Sequence, residues 1–205
     1  MTGALTWGIV VSSLAVVVVR RRLTAIVLVA AQSLALGVYA IARNPHVSPA
    51  LAVTATVLIA KALLLPVLLT VTTRSARKER PLTTEPPALI RLSVALTVGL
   101  VIEQLIPPFG LTDASIEHAA VGMLALGISV ALVRRAVIFQ ALGFLIAENG
   151  IYLAGLSLAA GLPVVIELGL AFDLVVSVSV AAAFAAKIHE HLGSGDTSFL
   201  EALRD

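Results

Sequence analysis

Seven long apolar runs leave this chain few ways to fold. A helix crosses the hydrocarbon core of a bilayer with about 20 mostly apolar residues, each adding ~1.5 Å of length. Of the 205 residues, 59% are apolar and only 13% are charged, whereas a soluble domain has about 25% charged residues. We therefore predict an all-α, polytopic membrane protein with seven transmembrane helices. The predicted spans are residues 3–19, 23–42, 49–73, 88–106, 115–133, 136–160 and 162–186.

The basic residues are unevenly distributed among the connections, and this predicts an orientation. Connections rich in Lys and Arg alternate along the chain with connections that have one such residue or none. Cytoplasmic loops have the excess of Lys and Arg. We therefore predict a membrane protein with its N-terminus outside and its C-terminus in the cytoplasm. The rich connections contain Arg20, Arg21 and Arg22; Arg74, Arg77, Lys78 and Arg80; Arg134 and Arg135; and Lys187.

Composition and motifs exclude several classes of function. The net charge of +2 comes from basic residues at the ends of apolar runs, so it indicates topology and not a nucleic-acid-binding face. The chain has no cysteine, which excludes disulfides and thiolate metal sites. The four histidines are scattered, and the sequence has no phosphate loop or dinucleotide fingerprint. We predict no catalytic residue, cofactor or metal site in this chain.

Ionisable residues inside the apolar runs are the candidate functional groups. At ~1.5 Å per residue, Lys61, Glu148 and Asp173 lie near the middle of their spans, while Glu167 and Glu103 lie nearer the outer surface. A charge at the centre of a bilayer costs roughly 2.5–3.5 kcal/mol on insertion scales. Such groups therefore face a protein interior or a water-filled path.

Carboxylates at this depth are suited to loading and releasing protons, as in the relays of membrane pumps. Tyr152 follows Glu148 by four positions and shares its helix face, so its hydroxyl is expected near the carboxylate or a neighbouring water. Structural alternatives remain open at three positions. Lys61 is also explained as an ion-pair partner that locks helix packing, Glu103 as a hydrated interfacial group, and Glu167 as a solvated group at the outer end.

Several stretches resemble the hydrogenase-4 component E family. They are LIAENGIYLAGLSL at 145–158, VIELGLAFDLVV at 165–176, KIHEHLGSGDTSFL at 187–200, AQSL at 31–34 and KALLLPVLLT at 61–70. The last three spans also resemble the small K subunit of respiratory complex I, a three-helix protein with carboxylates in its second and third helices. In that resemblance Glu148 matches the second-helix glutamate, and either Asp173, by depth, or Glu167, by residue type, matches the third-helix carboxylate.

The resemblance implies a domain organisation and a set of partners. It divides the chain into four N-terminal helices (1–114), a K-subunit-like module (115–186) and a cytoplasmic tail (187–205). It implies a non-catalytic membrane subunit of a complex I-like oxidoreductase assembly in a bacterial or archaeal cell membrane. The subunit would lie beside antiporter-like subunits that move protons or sodium and a membrane subunit of the quinone-chamber type. Any metal centres would then belong to other chains.

The resulting hypothesis is a lateral proton path through the membrane between the peripheral module and the antiporter-like subunits. Its expected residues are Glu148, Asp173, Glu167, Lys61, Glu103 and Tyr152. Two alternatives remain. The chain is an assembly scaffold whose deep charges only pair with neighbouring helices, or it is a stand-alone small transporter. The absence of an inverted repeat in the sequence disfavours the stand-alone transporter.

Overall fold

The computed structural model describes five helices with defined bounds and one further helical segment. The helices are α1 (Thr2–Val18), α2 (Arg22–Arg43), α3 (Ala88–Leu105), α4 (Ala114–Val133) and α5 (Val137–Ser157). Residues 58–63, here called the Lys61 segment, are also helical. The described residues are 2–43, 52, 55, 56, 58–63, 67, 86–107 and 113–157.

The all-α prediction is confirmed for the described residues, which form no strand. The five helices match five predicted spans, and the Lys61 segment lies inside a sixth, at 49–73. The structure therefore does not support the full count of seven helices. The seventh predicted span, 162–186, and the predicted tail, 187–205, lie outside the described residues.

Four of the helices are long and apolar enough to cross a membrane. Their apolar stretches are Arg22–Ala42, Ala88–Leu105, Ala114–Val133 and Ile138–Leu156, and α1 contains a shorter one, Thr6–Val18. Many large apolar side chains point outward from these helices, among them Trp7, Val27, Leu96, Leu132 and Phe144. Outward apolar side chains on every helix are expected where the surroundings are lipid or other membrane helices.

Local sequence signals account for the helix ends. Pro87 directly precedes α3 and has an extended ψ of 153°. Proline is tolerated at helix starts because it lacks the N–H that a helix interior requires. Asp113 precedes α4, and its Oδ1 accepts hydrogen bonds from the Ser115 backbone N–H at 3.0 Å and the Ser115 hydroxyl at 2.6 Å. This is an N-cap, which satisfies one of the free donors of the first turn.

Helices α4 and α5 form a closely packed antiparallel hairpin. They are joined by residues 134–136, and glycines allow their backbones to approach. A methyl group at Gly143 would lie 2.6 Å from the Gly127 carbonyl oxygen, and one at Gly150 would lie 2.7 Å from the Ala120 carbonyl oxygen. Helices in lipid associate through such small residues because lipid offers no hydrophobic drive between them.

Two buried arginines hold the C-terminal end of α1. Arg91 Nη2 donates to the Val18 carbonyl oxygen at 3.2 Å, and Arg134 Nη1 donates to the Val19 carbonyl oxygen at 2.9 Å. Both side chains are only 1% exposed. The last carbonyls of a helix lack intrahelical partners and attract cations. The ends of α1, α3, α4 and α5 that meet here, together with the start of α2, are called the basic end.

The α4–α5 contact predicts that Gly127→Ala destabilises the protein. The added methyl would lie 2.5 Å from the Gly143 carbonyl oxygen and 2.8 Å from Ala147 Cβ, and overpacking of this kind typically costs about 1–3 kcal/mol. We expect a lower unfolding midpoint for the purified protein in detergent. Gly122→Ala is the matched control in the same helix, because nothing lies within 4 Å of the added methyl. Equal midpoints for the two variants would contradict the close approach.

The predicted orientation can be tested with single cysteines, because the native chain has none. Arg135 is exposed beside the basic end, and His118, whose side chain is 70% exposed, lies near the opposite end of α4. We expect a membrane-impermeant maleimide to label Arg135→Cys only in inside-out vesicles and His118→Cys only in right-side-out vesicles. The opposite pattern would place the basic end outside.

Candidate functional site

A buried ion pair joins the Lys61 segment to α5. Lys61 Nζ lies 2.5 Å from Glu148 Oε1, and the two side chains are 5% and 9% exposed. Glu148 is the twelfth of the 21 residues of α5, so it lies roughly 15 Å from either end of the helix. The two charges therefore neutralise each other near the middle of a span.

The fold brings Lys61 to this place by packing its segment on α2. At Gly37 of α2, an added methyl would lie 3.1 Å from Ile59 Cγ1 and 3.4 Å from Leu58 Cβ. Leu58, in contact with this glycine, is fully buried. The absence of a side chain at Gly37 thus lets the Lys61 segment lie close to α2 while Lys61 reaches α5.

Tyr152 completes the surroundings of the ammonium group. Its ring centroid lies 4.9 Å from Lys61 Nζ, within the range of a cation–π interaction. The tyrosine is 1% exposed and lies one helical turn beyond Glu148. The sequence predicted that Tyr152 and Glu148 share a face, and the structure places both beside Lys61. The contact that it shows is made by the ring to the lysine.

Hydrogen bonds extend this polar region from α5 to α2. Asn149 and Ser33 are fully buried, and Ser33 Oγ lies 3.2 Å from both Oδ1 and Nδ2 of Asn149. Ser33 Oγ also lies 3.3 Å from the Val29 carbonyl oxygen of its own helix. Asn149 directly follows Glu148, so this contact fixes the position of α5 against α2 next to the ion pair.

A further set of hydrogen bonds joins α2 to α1. Gln32 Nε2 donates to Ser12 Oγ at 2.9 Å and to Ser13 Oγ at 3.1 Å. Gln32 is 2% exposed and Ser13 is fully buried. We call the whole set the polar layer. Its members are Ser12, Ser13, Gln32, Ser33, Lys61, Glu148, Asn149 and Tyr152.

The polar-layer residues of α2 and the pair Glu148 and Asn149 of α5 lie at similar depth. Gln32 and Ser33 follow the start of α2 by ten and eleven residues, and Glu148 and Asn149 follow the start of α5 by eleven and twelve. Both helices start at the basic end, so these residues lie roughly 15–18 Å from it. The layer therefore crosses from α2 to α5 at one level of the bundle.

One oxygen of the carboxylate is left over by these contacts. Glu148 Oε1 makes the ion-pair contact with Lys61 Nζ. Both carboxylate oxygens are buried and neither accepts a well-aligned hydrogen bond from the described residues, and Oε2 also makes no ion-pair contact with them. A carboxylate offers about four lone-pair sites. The arrangement can therefore hold a proton between Nζ and Oε1 and accept a further donor, such as water, at Oε2.

Among the described residues, the predicted site residue Glu103 does not join this cluster. Glu103 lies near the end of α3 with its side chain 62% exposed, and its Oε1 is 4.0 Å from His118 Nε2 of α4. Both belong to the mouth of a separate, largely apolar cleft of about 780 Å³ between α3 and α4. Asp173 and Glu167 lie outside the described residues.

Sequence reasoning missed five members of the layer and one arginine of the basic end. The five missed members are uncharged, so the criterion of charge at depth did not find them: Ser12, Ser13, Gln32, Ser33 and Asn149. Three of them belong to the AQSL and LIAENGIYLAGLSL stretches. Arg91 was missed because it lies within a predicted span. Among the described residues, no group of three metal-ligating side chains is present.

Apolar helices of membrane length around a polar layer with an ion pair define a polytopic membrane protein with a polar interior. The comparisons with known proteins narrow this class. The chain is 30% identical over 206 residues to an uncharacterized protein of Mycobacterium tuberculosis, Rv0085, a match that covers 97% of this chain and 93% of that protein. No family model and no solved structure matches the chain.

A second group of relatives has a functional name. The chain is 30% identical over 154 residues to hydrogenase-4 component E of Escherichia coli K12 and, with the same coverage, to that of Shigella flexneri. The matches cover 73% of this chain and 71% of each relative. The chain belongs to the hydrogenase-4 component E family, which confirms the resemblance seen in its motifs.

The buried ion pair predicts a strong coupling between Lys61 and Glu148. Lys61→Met leaves a buried carboxylate alone, and Glu148→Met leaves a buried ammonium alone. Each loss is expected to cost about 3–5 kcal/mol, whereas replacing both partners by apolar groups is often neutral. We expect the double variant to have a higher unfolding midpoint in detergent than either single variant. Additive losses in the double variant would show that the two groups do not interact.

Proposed function

We propose that this protein is a membrane subunit of a complex I-like oxidoreductase complex that translocates protons or sodium. The observation that supports this best is the Lys61–Glu148 pair at 2.5 Å within a membrane-length bundle, in a chain whose relatives include hydrogenase-4 component E. The subunit contributes charged groups to ion movement, and the redox chemistry belongs to other chains. Its partners are antiporter-like subunits and a membrane subunit of the quinone-chamber type.

The ion pair can pass a proton without a change in its net charge. Transfer from Lys61 Nζ to Glu148 Oε1 gives a neutral amine and a carboxylic acid. The carboxyl group then turns so that its proton faces the side that Oε2 occupied and passes the proton to an acceptor there, while the amine takes a proton from the other side. Both groups return to their charged forms, and one proton has moved across the pair.

The proposed path is lateral and continues beyond the pair. Tyr152 lies beside Lys61 and bounds the ammonium. We place the predicted residues Asp173 and Glu167 further along the path and the basic end in the cytoplasm. Glu103 lies in the separate cleft and is not part of the proposed path. The K-subunit-like module at 115–186, of which α4 and α5 are the first two helices, would form this part of the subunit.

The alternative function is an assembly scaffold, and one observation favours it. Lys61 and Glu148 satisfy each other's charge within a single chain, so the pair also serves as a lock between the Lys61 segment and α5. In that case the pair determines how much complex forms and not what the assembled complex transports.

Glu148→Gln separates these two functions. The amide keeps the shape of the side chain but cannot take up and release the proton. We expect the rate of ion uptake per assembled complex, measured in vesicles containing the purified complex, to fall by roughly tenfold or more. Measuring proton and sodium uptake in parallel identifies the ion.

Glu117→Gln is the matched control for this experiment, because Glu117 lies in the first turn of α4, away from the polar layer. It should retain wild-type ion uptake. If Glu148→Gln lowers the yield of the complex but leaves ion uptake per assembled complex unchanged, the scaffold function is correct and the proton path is wrong.

A further inference from the structure

Gln32 is a buried amide whose two ends have different surroundings. It lies near the middle of α2 and is 2% exposed. Its Nε2 contacts the two serine hydroxyls of α1 at 2.9 and 3.1 Å. Two consecutive residues of α2 thus contact different helices: Gln32 contacts α1, and Ser33 contacts α5.

The hydrogen bonds of α1 determine which end of the amide is the carbonyl. Ser12 Oγ and Ser13 Oγ both donate to the Ile9 carbonyl oxygen, at 2.7 and 3.0 Å. A hydroxyl has one proton to donate, so toward Gln32 both serines act as acceptors. The group facing them must be the donating NH2 of Gln32, since amide orientation is assigned from such networks. The carbonyl oxygen Oε1 therefore lies on the other side of the amide.

Gln32 Oε1 is buried and accepts no hydrogen bond from the described residues. A buried acceptor without a donor has lost the hydrogen bonds that it makes to water in the unfolded chain and forms none in their place. Glu148 Oε2 has the same property. The two oxygens belong to Gln32 and Glu148, the residues that directly precede Ser33 and Asn149, and Ser33 and Asn149 are hydrogen-bonded to each other between α2 and α5.

We propose that Gln32 Oε1 is a water-binding site, and that water held there joins water at Glu148 Oε2. The hydrated path then has a branch along α2 toward α1. Water fits because it can donate to two acceptors at once, and buried waters typically make 2–4 hydrogen bonds to otherwise unsatisfied polar groups. Ser33 Oγ, on the next residue, is a further polar partner at the same depth.

Gln32 acts in this branch as a positioning residue. An amide does not titrate, so Gln32 holds the water that conducts the proton and does not itself accept one. The serines of α1 fix the amide by its NH2 end and leave Oε1 for the solvent. This part of the inference rests on the proposed function, whereas the presence of water at Oε1 does not.

The presence of water is tested by water-edited solid-state NMR of the full chain in bilayers, with labelled glutamine. The chain has only three glutamines, and two of them, Gln104 and Gln140, are internal references. Gln104 is exposed near the end of α3 and should receive magnetisation from water quickly. We expect Gln32 to receive it at a rate within about threefold of Gln104, despite its burial. Transfer to Gln32 that is slower by roughly tenfold or more would show a dry site and overturn the proposal.

The role in the path is tested by Gln32→Met in the assembled complex. Methionine keeps the length of the side chain but removes Oε1, and we expect the rate of ion uptake per assembled complex to fall by roughly fivefold, the factor for one lost hydrogen bond. Gln104→Met is the matched control, because Gln104 is exposed near the end of α3 and lies outside the polar layer. It should retain ion uptake within about twofold of wild type.

The results of these experiments distinguish a failure of the branch from a failure of the proposed function. Equal losses of ion uptake in Gln32→Met and in Gln104→Met would show that the loss does not come from Oε1 of Gln32, which overturns the branch. A loss in Glu148→Gln with none in Gln32→Met rejects the branch and keeps the path. Wild-type ion uptake in Glu148→Gln rejects the path itself, while the water transfer to Gln32 still decides whether the site is wet.

Discussion

The ion pair between Lys61 and Glu148 is the interaction on which the arrangement of this bundle depends. Either charge alone would be costly at the depth where it lies, so the two helical segments must meet at this point. The contact is 2.5 Å long, which leaves little freedom for one segment to slide along the other. A pair of this kind contributes little net stability compared with apolar packing. Its effect is to select one register.

The rest of α5 is arranged so that this register is kept. One face of the helix has small residues, including Gly143 and Gly150, and packs directly on the α4 backbone. Glu148 and Tyr152 lie beside Lys61, and Asn149 contacts α2. A helix held by close backbone contact to α4 and by polar contacts to its other neighbours cannot rotate without losing both. The polar side chains of α5 are therefore held in place by the packing of the small residues of α5 on α4.

Two buried arginines stabilise the basic end. Arg91 and Arg134 are as buried as the residues of the polar layer, and they donate hydrogen bonds to the terminal carbonyls of α1. Arg134 also stacks on Phe139, with 3.4 Å between its Cζ and the ring centroid. The same arginine that indicates topology in the sequence thus also joins α1 to the α4–α5 hairpin. Positive charge near the membrane boundary combines both roles because helix C-termini attract cations.

The sequence by itself determined the helices, their ends to within a few residues where they are described, and the presence of charge at depth. It did so because apolar length, capping residues and loop charge are local properties. Only the tertiary structure decided that Lys61 pairs with Glu148, that Ser33 meets Asn149 across 116 positions, and that Glu103 stands apart in another cleft. Helix packing sets these contacts, and periodicity within one helix shows which residues share a face but not which neighbour that face will meet.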